Sequence, residues 1–356
     1  MMGGDDSVAQ DPASEPVMKV EASIEARSLR DVPAAARKAE ELGYDGVVSS
    51  QVGHDPFLPL VLAAEHTQRI SLGTAVAIAF PLSPTSLAHI AWDIQSLSAG
   101  RLLLGLGSQV KGHIVRRFGI PYAPPGPRMR EYILALRAVW DSWQNGAKLD
   151  FQGDYYNLTL MTPYFNPGPV EHPHIPVYVS AVNPYMLRLA GELCDGVRLH
   201  PFNTAKYTRE AILPNLEAGA RKAGRPLSDI DICGGSFLVT GETEEEIERV
   251  KQAVRTQVAF YGSTRSYRAV FEAHGWGDVC LELHEMSTQG RWSEMGKLIT
   301  EEMLEEFAIV SPYDGLVDKI KARWSGIITR TGLAIPLRKP EDEERLRHML
   351  RELQRA

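Results

Sequence analysis

The stretch MKVEASIEARSLRDVPAAARKAEELGYDGVVS, residues 18–49, decides the fold. Met18 to Ile24 has the composition of a strand. Asp31 to Leu42 is an alanine-rich helix stopped by Gly43, and Asp45 to Ser49 is a second strand. Strand, helix and strand in such quick succession make a βα unit, and repeated units of this kind build a parallel sheet.

The alternation continues outward from this unit. The second helix begins near Pro56, because proline is tolerated in a first helical turn. Ile70 to Ile78 is a third strand followed by a helix from Thr85 to Leu97, and Arg101 to Leu106 is a fourth strand. Next comes a stretch without strand periodicity that carries the Pro121–Pro127 cluster, then a helix from Arg128 to Trp143. A proline- and aromatic-rich excursion from Phe151 to Pro176 is predicted to hold a hairpin around Phe151 to Leu158. Connections this long inside a compact domain are functional or inserted. The order resumes with strand Pro176–Ala181, helix Pro184–Leu193, strand Gly196–His200, helix Lys206–Ala223 and strand Ile230–Thr240. A charged helix from Thr243 to Phe260 and a mostly helical run through Tyr261–Lys297, Thr300–Phe307 and Asp314–Ser325 precede the eighth strand, Ile327–Ala334, and a final helix, Pro340–Arg355. Eight such units predict an α/β fold, a (β/α)8 TIM barrel with insertions after strands 4 and 7, as one domain over residues 17–356. An open doubly wound sheet is the competing architecture. The Gly105 and Gly107 pair does not favour it, since GxGxxG needs a third glycine where Val110 stands.

Composition narrows the function. A net charge of −7 among 356 residues argues against nucleic-acid binding, which concentrates lysine and arginine to neutralise phosphates. Cys194, Cys233 and Cys280 are odd in number and far apart, as expected for free thiols rather than a disulfide framework or a CxxC zinc site. Residues 1–16, MMGGDDSVAQDPASEP, lack a basic start and an apolar run, so they are expected to be a disordered tail and not a secretion signal. The longest apolar stretch, Gly73 to Leu82, is about half of what a membrane helix requires. A cytoplasmic protein with no membrane partner is expected.

In a barrel the chemistry sits at the carboxyl ends of the strands. That rule selects Gln51, His54 and Asp55 after strand two, Ser108, Gln109, Lys111 and His113 after strand four, Asn183 after strand five and His200 at the end of strand six. Two readings stand for His54: proton transfer or hydrogen bonding to a cofactor, or simple packing beside a helix cap formed by Asp55. His200 is followed by Pro201, which stops the strand. No HxH or HExxH spacing links His54, His113 and His200, so no metal is expected. Gly105 and Gly107 let a flat ring or phosphate approach the backbone, and the turn SAVNPY, Ser180–Tyr185, leaves N–H groups at the start of a helix as a generic anion site.

Taken together, LSAGRLLLGLGSQ (Leu97–Gln109), following LGTAVAIAFPLSP (Leu72–Pro84), resembles the L-S-x-G-R-x-x-x-G-x-G segment of the bacterial luciferase-like oxidoreductases. PVYVSAVNPYMLRLAGELCDGV (Pro176–Val197) is similar to that family's strand-five phosphate segment. GHDPF (Gly53–Phe57), GSQVKGHIVRRFG (Gly107–Gly119) and FYGSTRSYRAVFEAHGWG (Phe260–Gly277) look like a subgroup that uses the deazaflavin coenzyme F420. The resemblance implies a non-proline cis peptide at Ala75–Val76 behind the coenzyme ring. It implies Gly107, Ser108 and Gln109 beside the ring or its ribityl chain, and Ala181, Val182, Asn183 and Tyr185 at the phosphate. It places His54 near the reacting carbon. Arg116 and Arg117 are further candidates for the coenzyme's phosphate or tail. Gln51 stands where many relatives carry an acid, which moves any proton transfer to His54 or His200. The activity implied is hydride transfer between F420 and a small organic substrate, by a homodimer. An FMNH2-dependent monooxygenase served by a flavin reductase, with FMN as cofactor, and a non-catalytic coenzyme-binding protein are the alternatives.

Overall fold

Eight parallel strands close on themselves. The computed structural model describes residues 18–24 and 28–355, and the expected tail over residues 1–16 lies outside the described residues. The staves are β1 (Lys19–Ser23), β2 (Gly46–Ser49), β3 (Ser71–Thr74), β4 (Leu102–Gly107), β5 (Val177–Ser180), β6 (Gly196–Arg198), β7 (Asp231–Cys233) and β8 (Arg330–Gly332). Each pairs with its sequence neighbour, and β8 returns to β1 with Lys19 opposite Arg330, which excludes the open sheet. Helices lie outside, among them Val32–Leu42, Leu58–His66, Pro84–Leu97, Pro125–Asn145 and Pro184–Leu193.

Two sequence motifs prove to be joints of this frame. In LSAGR, Ala99 and Gly100 take left-handed backbone, with φ of 52° and 87°, and the turn delivers the Arg101 guanidinium to the carbonyls of Ala64, Thr67 and Ile70, each 2.9 Å away. These carbonyls follow or close the helix Leu58–His66, where a cation also complements the helix dipole. The DGV triplets at Asp45–Val47 and Asp195–Val197 repeat one device at the amino end of the barrel. The carboxylate of Asp45 accepts from Val20 N at 2.7 Å, and that of Asp195 accepts from Val177 N at 2.8 Å. The glycine that follows admits a neighbour: a Cβ at Gly196 would meet the Tyr178 ring at 2.1 Å.

The excursion after β4 contains the expected hairpin, with Phe151 opposite Leu158. Three local expectations change. The third strand breaks at Ala75–Val76, and its continuation, Ala77–Ile78, shifts to pair with Leu106 and Gly107 of β4. The seventh strand, read as Ile230–Thr240, stops at Cys233. Gly234 and Gly235 turn the chain, and Phe237–Val239 pairs in parallel with Ala308–Val310. Ala308–Val310 escaped the sequence reading because it is three residues long, follows directly on the helix Glu301–Phe307 and has no room to show a period of two. The segment between these paired strands is the insertion after strand 7.

Alternate residues of the strands face inward, and here the inward set is polar. Arg198 of β6 makes a bidentate pair with Glu21 of β1, at 2.7 and 3.1 Å. Arg330 of β8 lies 3.3 Å from Glu21 and 3.0 Å from Asp231 of β7, whose carboxylate also accepts from the Tyr178 hydroxyl at 2.8 Å. Glu21, Arg198 and Arg330 are 7%, 8% and 3% exposed, so their charges survive by pairing with one another. Glycines make the space. A Cβ at Gly73 would lie 2.9 Å from Arg198 Nη2, and one at Gly105 would lie 3.1 Å from its Nε.

Candidate functional site

The carboxyl ends of the strands enclose a cavity of about 350 Å³. Glu21, Arg198 and Arg330 lie at its base, Ala75, Val76 and Ser180 on one side, and His200, Pro201 and Gly234–Ser236 on the other. A wider groove of about 660 Å³ lies at the opposite end, where His174 and Asp195 precede β5 and β6. In barrels of this kind chemistry is built at the carboxyl end, so the mouth is the candidate site.

One wall of the mouth is the break in β3. The Ala75–Val76 peptide is cis. The end of β2 clamps it: Ala75 N donates to Ser49 O and Ser50 Oγ to Ala75 O, both at 2.8 Å, while Gln51 N donates to Val76 O at 3.3 Å. The Gln51 carboxamide oxygen accepts from Ile78 N at 2.7 Å, so Gln51 is a strut of this wall. Gly107 lies against the same feature, since a Cβ there would come within 2.6 Å of Val76 Cγ2. Beyond it Ser108 is half-buried, and Gln109 takes left-handed backbone (φ 55°) with its side-chain oxygen accepting from Val110 N at 2.8 Å.

The helix Pro184–Leu193 starts beside β5 without a side-chain cap from Asn183. Leu187 N already returns to Asn183 O, which leaves the N–H groups of Tyr185 and Met186 in the open first turn. Tyr185 is held over Gly126, whose missing side chain admits the ring: a Cβ there would sit 2.4 Å from it. Ala181 is buried, and Val182 O accepts from the Tyr207 hydroxyl at 3.4 Å.

His200 is mostly covered, and burial pushes its pKa down to about 4. Its Nδ1 accepts from Phe202 N at 2.9 Å, which fixes the proton of the neutral ring on Nε2. His200 is therefore an N–H donor at neutral pH. His54 is placed differently. It is exposed and lines a neighbouring groove of about 520 Å³ with Ser23, Ser50 and Val52, while Asp55 caps the next helix by accepting from Phe57 N and Leu58 N at 2.8 and 3.0 Å. Arg117, also exposed, reaches the same rim and donates to Val52 O at 2.7 Å. The structure thus gathers Gln51, Ala75, Val76, Gly107 and His200 at the mouth, with Asn183 and Tyr185 at the adjoining helix start. His54 and Arg117 fall in the groove next door.

Sequence reading missed Glu21, Arg198, Asp231 and Arg330. The available signal was a charged residue inside an otherwise apolar strand, as in GVRLH, because an isolated charge there must find a partner within the barrel.

A closed ring of eight parallel strands with helices outside defines an α/β-barrel protein. The family described as luciferase-like monooxygenase matches residues 11–330, and the chain belongs to it. An uncharacterized protein of Mycobacterium tuberculosis is 43% identical over 313 residues, covering 88% of this chain and 92% of its own. The 5,10-methylenetetrahydromethanopterin reductase of Archaeoglobus fulgidus is 27% identical over 84% of this chain and 87% of its own. Among solved structures, the coenzyme F420-dependent tetrahydromethanopterin reductase of Methanopyrus kandleri superposes with a TM-score of 0.74 at 23% identity, over 95% of this chain and 98% of that one. Among the described residues no helix is long and apolar enough to cross a membrane.

Proposed function

We propose that the protein is an oxidoreductase that holds coenzyme F420 at the barrel mouth and moves a hydride between it and a small organic substrate. The observation that carries this reading is a small-residue wall of Ala75, Val76 and Gly107 at the carboxyl ends of β3 and β4, with Ser180 of β5 lining the same cavity four residues before the uncapped first turn of the helix at Pro184. A planar ring fits against the former. A phosphate suits the latter, where free N–H groups and the helix dipole favour negative charge. An F420-dependent glucose-6-phosphate dehydrogenase of Intrasporangium calvum, 31% identical over 229 residues, supports F420 over other ring systems. When bound, F420 supplies the redox chemistry, and the protein supplies position and electrostatics.

Each residue then has a defined task. Val76 backs the ring, and Gln51 and Ser50 keep that wall in place. Tyr185 and Met186 offer backbone N–H groups to the phosphate. His200 donates its Nε2 proton toward a substrate oxygen and, being neutral, adds no charge to the mouth. Arg117 steadies the rim through Val52. His54 meets the coenzyme or substrate at the outer groove. The family description favours a second reading, an FMNH2-dependent monooxygenase. Parallel titration of the apoprotein with F420 and FMN separates the two. F420 is expected to bind in the micromolar range or tighter and, once reduced, to be reoxidised when a substrate is added; binding of FMN with none of F420 would overturn the proposal.

A further inference from the structure

The side chains that line the mouth cavity hold more hydrogen-bond donors than free acceptors. Its floor has two guanidinium groups, Arg198 and Arg330, and one carboxylate, Glu21. That carboxylate is already engaged: Arg198 donates to it at 2.7 and 3.1 Å, and Arg330 Nη1 lies 3.3 Å from Oε1 without the alignment of a hydrogen bond. Arg198 Nε and Arg330 Nη1 therefore have no acceptor among the described residues, although the two residues are only 8% and 3% exposed. A buried donor left unmatched is rare and asks for a reason in function. Asp231 receives Arg330 Nε at 3.0 Å, is also bonded by Tyr178 and Thr329, and does not line the cavity. With Asp231 the cluster is neutral as a whole, but the residues on the cavity carry two permanent positive charges against one negative.

The sides of the cavity add donors that a ligand meets first. Ser236 Oγ accepts from Trp324 Nε1 at 3.1 Å and from Arg323 Nη1 at 3.4 Å, and its own proton has no acceptor among the described residues. The Thr331 hydroxyl is likewise without a partner among them. Gly235 keeps that hydroxyl uncovered, since a Cβ there would lie 2.8 Å from Thr331 Oγ1. His200, packed against the rings of Tyr261 and Tyr267 at centroid distances of 4.4 and 5.0 Å, offers Nε2–H. Such a lining suits a group that accepts at two atoms and carries one negative charge. A carboxylate has both properties, whereas a carboxamide has no charge and turns N–H donors toward donors.

We infer that the floor and the turn Gly234–Ser236 form a carboxylate subsite, in which Ser236 and Thr331 donate to the oxygens while Arg198 and Arg330 supply the charge, and that the substrate is a small monocarboxylic acid. The inference deepens the oxidoreductase reading and rests on it for the opposite side of the cavity, Ala75 and Val76, as the place of the coenzyme. It gives a reason for charges in a barrel core where apolar side chains of the same volume would be at least as stable.

Benzoate and benzamide share a planar shape and differ in charge. Their binding to the full chain is measured by calorimetry with and without F420, beside a fluorescence titration of F420 itself. Benzoate is expected to bind at least about tenfold more tightly in both conditions, a difference worth roughly 1.4 kcal/mol. Thr331→Val keeps the branched shape and removes the hydroxyl. It should weaken benzoate about tenfold or more, the scale of one hydrogen bond to a charged group, with F420 affinity unchanged and the thermal midpoint not lowered. Arg330→Met/Asp231→Asn removes a buried cation together with its anion, leaves the Glu21–Arg198 pair balanced, and should bring benzoate and benzamide to equal affinity; if that chain does not fold, Thr331→Val decides. Absence of benzoate binding, equal or tighter binding of benzamide, unaltered benzoate binding by Thr331→Val, or displacement of benzoate by F420 overturns the inference. Failure to bind F420, with benzoate still preferred by the wild-type chain and weakened by Thr331→Val, counts against the coenzyme assignment and leaves the carboxylate subsite in place.

Discussion

Between the strands and the outer helices the contacts are aliphatic and aromatic, with Val20, Leu72, Leu104, Val177 and Val197 all fully buried. Inside the ring, one residue along the same strands, stand Glu21, Gly73, Gly105, Tyr178 and Arg198. The outer layer tolerates some repacking, because aliphatic contacts are non-directional. The inner layer does not, because each charge depends on a named partner and each glycine on the reach of a named side chain. Geometry governs the inside and volume governs the outside.

The sharpest way to break this contrast is Arg198→Met, which leaves Glu21 buried without its bidentate partner. Urea unfolding should show a loss of about 3–5 kcal/mol, and the double variant Glu21→Leu/Arg198→Met should recover a large part of it. If the single and double variants lose equal stability, the inner layer is not held by this pair. Gly105→Ala comes next. Its Cβ would lie 2.0 Å from the Thr74 carbonyl, which is backbone and can yield only by moving the strand. A loss of about 1–3 kcal/mol is expected from the same unfolding measurement, against about 1 kcal/mol for Gly146→Ala, where the left-handed backbone is the sole cost. Gly146 has φ of 69° with nothing near its Cβ position, so any cost there reports backbone conformation.

The third test carries the contrast to the mouth. Burial holds His200 at about pH 4 against an ordinary 6.5, so the unfolded chain takes up its proton first as acidity rises. Stability contributed by the neutral ring is complete above about pH 6.5 and falls as pH drops toward 4. His200→Gln should flatten that limb of the stability profile, and an unchanged slope would show that the ring is not desolvated. The smallest effect belongs to the rim. Arg117→Ala should shift global stability by less than about 0.5 kcal/mol, while amide exchange at Val52–His54 quickens.

The βα alternation made the barrel legible because the units repeat one signal, a short strand-like run and then a helical stretch, several with proline in the first turn. The seventh stave shows where that signal ends. Ile230–Thr240 is continuously strand-like, and only Gly234–Gly235 hints that the chain leaves the barrel. The ionic interior was invisible for a different reason: Glu21 and Arg198 are 177 positions apart, and no local pattern links them. At the mouth, the Ala75–Val76 wall was reached through family resemblance. Gln51 as a strut and Tyr261 and Tyr267 as neighbours of His200 depend on tertiary placement and could not be read from spacing.

The small parallel sheet formed by Phe237–Val239 and Ala308–Val310 brings the entry and exit of the intervening segment side by side. A segment anchored at one doorstep can be lengthened, shortened or exchanged without opening the ring of staves. It behaves as a cassette: the stretch between Thr240 and Ala308 is joined to the barrel at a single pair of short strands, so it can vary on an unaltered ring of staves.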